Sequence, residues 1–412
     1  DADPARRVVI VSAPGKRFSG DHKITDLLYL CAAHIKYGVS CEDIFAMIRD
    51  RYNEIIAECG LHISLDKEFD ALWDKMKNGI SQDELASRGE YFSARLMAEY
   101  LGYEFVDAAR WIKFKFDGAV DQEASYAALR SLAEDRRVVI PGFYGVMPDG
   151  HIKTFSRGGS DVTGSIVAQA CKADIYENWT DVSGFLVADP RIVDDPISIR
   201  YITYRELREL SYMGASVLHE EAIFPVRHCG IPIRNTNRPQ DPGTWIVETT
   251  GQKPDYVVTG IAGKKGFCTI LVTKAMMNSE VGFGRKVLQA LEDNNISFEH
   301  MPSGIDTMTV IVHEDEFMNK EQQVISAIHR LAKPDSVEIE SDYALVAVVG
   351  RGMRSASGTA AKLFSSLAGA GVNVRMIDQG SSELNIIIGI KNDDFNKAIR
   401  AIYDGFVRNQ TK

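Results

Sequence analysis

The sequence predicts an α/β protein in which a mostly parallel central sheet covered by helices is followed by two smaller tandem βαββα units. Three features predict this fold. Between Arg7 and about Glu248, short β-branched runs alternate with helical patterns, as in sheets whose strands are joined by helices. A polar stretch containing Gly and Pro, Glu248 to Asp255, then marks a boundary. Beyond it one unit occurs twice at a constant offset of 76 residues, between Phe267 and Tyr343 and again between Ile296 and Val372.

In the first part, VVIVSA (8–13), VVIPGFYG (138–145), ADIYENWT (173–180) and IPIRNTN (231–237) read as buried strands. Periodic stretches 25–36, 81–101 and 205–217 read as helices between them. The segment 81–102 opens with Ser81 and Glu84 at capping-box spacing. Gly89 falls on its apolar face with Leu85, Phe92 and Leu96, where glycine costs about 1 kcal/mol relative to Ala unless something approaches closely. Two glycines, Ser160 and Asp161 lead into a helix with Val162, Ile166, Val167 and Ala170 on one face. Ligands of such sheets sit at the carboxyl ends of the strands, here just after Ala13, Ile140 and Thr180.

The first repeat reads as strand Phe267 to Thr273, a helix carrying Phe283, Val287, Leu288 and Leu291, strands Ile296 to Met301 and Thr307 to His313, and a helix carrying Val324, Ile325, Ile328 and Leu331. The second has strand Tyr343 to Val349, a helix with Leu363, Phe364 and Leu367, strands 372–377 and 383–390, and a helix with Phe395, Ile399, Ile402 and Phe406. Val337 to Glu340 can close the first copy, whereas the second lacks a last strand, which Val257 to Ala262 is expected to supply. The expected domains are therefore 1–250, an inserted unit 264–340, and a second unit made of 255–263 with 341–412.

Composition narrows the function. With 47 Lys+Arg against 57 Asp+Glu the formal charge is −10, which argues against nucleic acid as a partner. No apolar run approaches the roughly 18 residues of a membrane span, and the first residues lack a signal-peptide core, so a soluble cytoplasmic protein is expected. The six cysteines form no CxxC pair and the nine histidines no HxxxH or HxH, so reduced thiols and no protein-built metal site are expected.

Four stretches carry chemistry. Glu90, beside Gly89, is suited to an ammonium group, although a lone RGE is more often a solvated helix glutamate. Arg157 can grip a carboxylate with two parallel hydrogen bonds, and the helix start at Ser160 and Asp161 leaves N–H groups for an anion. Thr180 and Asp181 occupy a turn closed by Gly184, and the DPR corner presents Arg191 toward phosphate; turn composition alone also explains this stretch. In VSAPGKRFSGDHKITDLLYL (11–30), Ser12 sits at a strand end, while Lys16 and Arg17 resemble solvated loop charges. An amine holder, a carboxylate holder and Gly-rich turns without GxxxxGK[ST] describe a small-molecule kinase that is not a P-loop enzyme.

RGE (88–90), SRGGSD (156–161), WTDVSGFLVADPR (179–191) and GASVLH (214–219) follow one another at family-like spacing, and through them nearly the whole chain resembles the monofunctional aspartate kinases of the amino-acid kinase superfamily. The resemblance implies an amino-acid kinase fold followed by two ferredoxin-like ACT domains. It further implies phosphorylation of the aspartate side chain by ATP, with Mg²⁺ carried by the phosphates and no metal ligands from the protein. Glu90 would bind the substrate ammonium, Arg157 its α-carboxylate, and Ser12, Thr25 and Phe143 would line the pocket. Ser160 would lie near the reacting groups, and Asp161 would orient a catalytic lysine. Thr180, Asp181, Leu186, Arg191 and Ser216 would contact ATP. A feedback amino acid, lysine with threonine as the alternative, would meet Met277, Gly282, Phe283, Ser297, Phe298 and Glu299, with Ser303 and Asp306 as weaker candidates. A homodimer or dimer of dimers through the ACT units is expected.

The resemblance has three departures. The family's opening KFGGSS or KFGGTS strand, with its lysine, lies before the first residue here; if the chain is complete as given, negligible kinase activity is expected. Ser216 stands where relatives often have Lys, and Leu186 where they have an aromatic. Two other readings follow: a non-catalytic amino-acid sensor, favoured by the lysine's absence but opposed by Glu90, Arg157, Asp161 and Asp181, and a glutamate-type carboxylate kinase, which the ACT pair and WTDVSG oppose.

Overall fold

The computed structural model describes residues 3–133, 136–156, 158–215, 218, 220–250, 254 and 256–408. It divides into two compact units, Asp1–Asn178 with Leu218–Arg234, and Trp179–Val217 with Asn235–Lys412. In chain order the first stretch contains β1 (Val8–Val11), α1 (Ile24–Lys36), α2 (Glu42–Glu58), α3 (Asp66–Asn78), α4 (Gln82–Leu101), β2 (Glu104–Phe105), α5 (Gln122–Ala133), β3 (Val138–Pro141), β4 (Tyr144–Val146), β5 (Ile152–Thr154), α6 (Gly159–Ala170) and β6 (Tyr176–Trp179). β7 (Tyr201–Thr203), α7 (Tyr204–Tyr212), α8 (Glu220–Arg227), β8 (Ile233–Thr236) and β9 (Thr244–Val247) follow.

β1, β3 and β2 form a parallel sheet with β3 in the middle, where Val138 lies opposite both Val8 and Glu104. All four residues of β3 are buried, which is why its sequence is an unbroken apolar run. Ala94 and Ala98 of α4 pack on Val139. The other side of α4 joins α1, α2 and α3 in a second core around Leu28, Phe45, Ile48, Tyr52, Phe69 and Phe92. The expected strand 138–145 is in fact two, because Gly142 and Phe143 turn the chain between β3 and β4, Phe143 with φ +80°. The expected helix 205–217 stops at Tyr212, and Gly214 just beyond takes φ +98°.

In the second unit β7 runs parallel to β9, Tyr201 opposite Trp245. Farther along the chain lie β10 (Gly260–Thr273), α9 (Phe283–Glu292), β11 (Phe298–His300), β12 (Thr307–His313), α10 (Glu314–Phe317), α11 (Glu321–Ala332), β13 (Ser336–Val349), α12 (Thr359–Gly369), β14 (Met376–Asp378), β15 (Asn385–Lys391) and α13 (Phe395–Phe406). They build one antiparallel sheet of order β11-β12-β10-β13-β15-β14. β10 and β13 are each 14 residues long and serve both repeats. Gly260–Lys265 pair with 344–349, and Thr269–Thr273 with 336–340. Phe267 and Tyr343, the residues related by the 76-residue offset, face each other where the ladder is bulged. Val287, Leu291, Val324 and Ile328 cover the first repeat's side of the sheet, and Leu363, Leu367, Ile399 and Ile402 are buried in the second. β11 is shorter than the expected 296–301. No helix among the described residues is long and apolar enough to cross a membrane.

Candidate active site and effector region

Glu90 is the centre of the first unit's site. α4 can approach the end of β1 because position 89 has no side chain; a Cβ there would stand 2.8 Å from that of Ala13. This close approach is what the glycine's helix cost implies. It delivers Glu90 to the strand end, where Oε1 accepts the Ala13 N–H at 3.2 Å. The side chain is buried, its residue 5% exposed, and Oε2 has no hydrogen-bond partner. Burial pushes its pKa up to about 7, against the smaller lowering effect of the Ala13 N–H. Tyr52 donates to the Gly89 carbonyl at 2.6 Å and steadies the turn of α4 that carries the glutamate. Ser12 is exposed and Thr25 half-buried, at the two ends of the 14–23 loop.

A second cluster assembles at the start of α6. Gly158, with φ +55°, precedes it without a side-chain cap. A Cβ on Gly142 would stand 2.5 Å from Ser160 Oγ, and one on Gly159 2.5 Å from the Phe143 ring. The Phe143 N–H donates to Thr163 Oγ1 at 3.1 Å. Two glycines thus bring the Gly142–Phe143 turn against Ser160, which explains why Phe143 takes a left-handed conformation. Asp161 Oδ1 accepts from Asn178 Nδ2 at 2.9 Å, and Tyr176 Oη donates to the Asp161 carbonyl at 3.3 Å. Asn178 carries no motif signal; only its place on β6 puts it there. Arg157 lies outside the described residues.

The expected nucleotide residues belong to the second unit. Thr180 anchors a turn: its N–H donates to the Thr236 carbonyl at 3.0 Å, and its hydroxyl accepts the Val182 N–H at 3.1 Å and donates to Asp181 at 3.3 Å. Gly184 takes φ +70°, and a Cβ there would meet Thr244 Oγ1 at 2.4 Å. Thr244 pins this turn by accepting the Phe185 N–H at 2.7 Å. Leu186 bridges Ser198. Arg191 is 86% exposed and bound to its neighbour Asp189, with Nη2 2.6 Å from Oδ2, so it reaches a phosphate only by leaving that pair. Ser216 lies outside the described residues.

The expected effector residues divide. Met277 and Phe283 point into the core of the first repeat and can offer a ligand only backbone, whereas Ser297, just before the edge strand β11, and Phe298, at its start, are exposed. Gly282 caps α9 with φ +82° and open space where a Cβ would be. Glu299 is not a surface residue: its side chain is 5% exposed and lies 3.1 Å from His313 Nε2. Tyr212 has its pKa pushed up to about 12, by burial first and by the Glu299 carboxylate second.

Sequence reasoning missed α7's role. Glu206 is fully buried and accepts from Thr203 (N–H at 2.9 Å, hydroxyl at 2.7 Å), Thr259 (2.6 Å) and Arg351 (N–H and Nη1, each at 2.9 Å). Burial pushes its pKa up, but these donors outweigh it and hold it below the ordinary value. Asn385 reaches Glu209 at 2.6 Å, and Lys264 lies over the Tyr212 ring at 5.2 Å. The signal was legible: Thr203 and Glu206 have capping-box spacing, and this box forms fully. At Ser81 only half forms, because Glu84 pairs with Lys75 at 2.6 Å. A cavity of about 770 Å³ on the bare face of the six-stranded sheet includes Thr269, Thr309, Glu340 and Arg375 but, of the effector candidates, only Ser303. Within it Arg375 pairs with Glu340, and Tyr343 donates to Glu340 at 3.2 Å.

The amino acid kinase family matches residues 2–237, and an ACT domain matches 346–406. Aspartokinase 3 of Bacillus subtilis is 40% identical, over 98% of this chain and 93% of its own. Chloroplastic aspartokinase 2 of Arabidopsis thaliana is 27% identical, over 97% of this chain and 78% of its own. The crystal structure of Clostridium acetobutylicum aspartate kinase, described as an allosteric enzyme, matches with a TM-score of 0.89 and 49% identity over 98% of this chain and 94% of that one. The chain belongs to the aspartokinases of the amino acid kinase family and is an aspartate kinase.

Proposed function

We propose that the chain transfers the terminal phosphoryl group of ATP to the side-chain carboxylate of L-aspartate, giving 4-phospho-L-aspartate. This is the entry step to lysine, threonine and methionine. The observation that carries the substrate side is Glu90, a buried carboxylate with one oxygen unpartnered, which the substrate ammonium would satisfy. Arg157 would hold the α-carboxylate, with Ser12, Thr25 and Phe143 around it and Ser160 close to the reacting groups. Asp161 would orient the lysine that stabilises the transferring phosphoryl group. Because the attacking carboxylate is already ionised, no general base is required. Thr180, Asp181, Leu186, Arg191 and Ser216 would contact ATP. Mg²⁺ would ride on the phosphates and neutralise their charge.

The ACT pair would bind a feedback amino acid, lysine in our reading, at Gly282 and Ser297 to Glu299, with the backbone at Met277 and Phe283. The continuous strands β10 and β13 support an inserted first ACT unit, 264–340, within a second made of 255–263 and 341–412, after a kinase domain of 1–250. The exposed outer edge of β11 supports a homodimer through these units. The test is an aspartyl-hydroxamate assay with ATP and Mg²⁺, with and without lysine. Aspartate-dependent, lysine-inhibited turnover is expected; turnover indifferent to lysine would remove lysine as the effector. In the same assay Arg157→Ala should raise the aspartate KM, and Asp181→Ala should weaken ATP binding instead.

A further inference from the structure

The turn of α4 that carries Glu90 is hydrogen-bonded from α2, through Tyr52. The loop 14–23, PGKRFSGDHK, joins Ser12 to Thr25, and residues 15–20, 22 and 23 are exposed. Asp21 is the buried exception. Its carboxylate accepts the Arg17 N–H at 2.9 Å and Arg17 Nε at 3.0 Å, and it meets Arg51 Nη1 of α2 at 2.6 Å. Arg51 Nη2 donates to the Gly15 carbonyl at 2.7 Å, so one guanidinium clamps both ends of the loop's exposed span. Arg51 and Asp21 are each only 9% exposed at the side chain. Arg17 and Arg51 hold the Asp21 carboxyl well below its ordinary range. The Ile24 N–H donates to the Pro14 carbonyl at 3.2 Å and closes the loop's base. Next along α2, Tyr52 fixes the Gly89 carbonyl beside Glu90, and the Ala13 N–H binds Glu90 itself.

We infer that Arg51, through Asp21 and Gly15, is a positioning residue that sets the shape of the aspartate pocket, with Tyr52 holding the opposite wall. Two adjacent residues of α2 thereby fix the strand end carrying Ser12, the helix start carrying Thr25 and the turn carrying Glu90. A guanidinium serves an acceptor on each of two nitrogens in fixed geometry, which a lysine ammonium does not reproduce. The inference rests on the assignment of Glu90 to the substrate amine.

The test is steady-state kinetics of the full-length enzyme carrying Arg51→Met, Arg51→Lys, Asp21→Asn or Glu90→Gln, with melting curves for each. Loss of the clamp displaces the pocket walls, so Arg51→Met should raise the aspartate KM about tenfold or more, with the ATP KM within about twofold and kcat little changed. Arg51→Lys should fall between parent and Met variant, and Asp21→Asn should follow the same direction. A folded Arg51→Met enzyme with the parent's aspartate KM would overturn the inference; if that variant does not fold, a parental KM in Asp21→Asn does so. A raised KM in Glu90→Gln alongside a parental one in the clamp variants refutes the clamp and leaves the substrate assignment standing. A parental KM in Glu90→Gln refutes the assignment itself.

Discussion

Glu90 on α4 and Glu299 on β11 are both expected to hold an ammonium group, and they sit in opposite states. Glu90 is buried with one oxygen unpartnered, and burial raises its pKa to about 7. Glu299 is half-buried as a residue, and its covered carboxylate already lies 3.1 Å from His313 Nε2. A third glutamate, Glu206, is completely buried with five donors around it, and its pKa is lowered. Burial alone therefore does not mark a ligand site; the donors that burial leaves out do. In the proposed function Glu90 lacks a cation that the substrate would bring, whereas an effector amine would have to compete for Glu299 against His313.

The largest effect should come from Glu90→Gln. Removing the charge from a buried pair costs about 3 kcal/mol or more, so the aspartate KM should rise about a hundredfold in initial-rate assays while the ATP KM holds. A change within threefold would make Glu90 as dispensable as a surface glutamate. Next, Arg351→Ala should leave Glu206 charged and poorly compensated, costing about 3 kcal/mol in denaturant unfolding. A loss below about 1 kcal/mol would show that Thr203 and Thr259 suffice.

The pH dependence separates the glutamates further. Binding an ammonium requires ionised Glu90, so the aspartate KM should rise about tenfold per pH unit below about pH 7, and Glu90→Gln should flatten that profile. For the unliganded protein the sign is opposite. The folded state binds the extra proton between about pH 4.5 and 7, so Glu90's contribution to stability is present below that window and is lost as pH rises through it. The smallest effect is expected at the effector region. Glu299→Ala should weaken lysine inhibition severalfold with uninhibited turnover intact, consistent with coupling of about 1–3 kcal/mol; unchanged inhibition would remove Glu299 from that role.

Much of the fold was legible because its signals are local. The repeat offset predicted strands and helices that recur in β12, β15, α9, α11 and α13, since apolar periodicity records which face is covered. α2 and α3 were missed because charged residues dilute their apolar spacing, Phe45–Ile48–Tyr52 and Phe69–Leu72–Met76. The break at Phe143 was missed because its cause is tertiary: Ser160 and Gly159 approach from a helix that begins more than a dozen residues later. For the same reason RGE as a motif could not reveal that Glu90 is buried, which depends on Ala13 and Tyr52. Nor could the residues around Glu299 reveal that it is already paired, which depends on His313.

The most direct test is to titrate Glu90 by carboxyl-carbon NMR in selectively labelled protein, with Glu90→Gln to assign the signal, in the absence and presence of L-aspartate. The account predicts a pKa near 7 in the free enzyme that falls when aspartate is added, as the incoming ammonium stabilises the carboxylate. A pKa near 4.5 that does not respond to aspartate would contradict it.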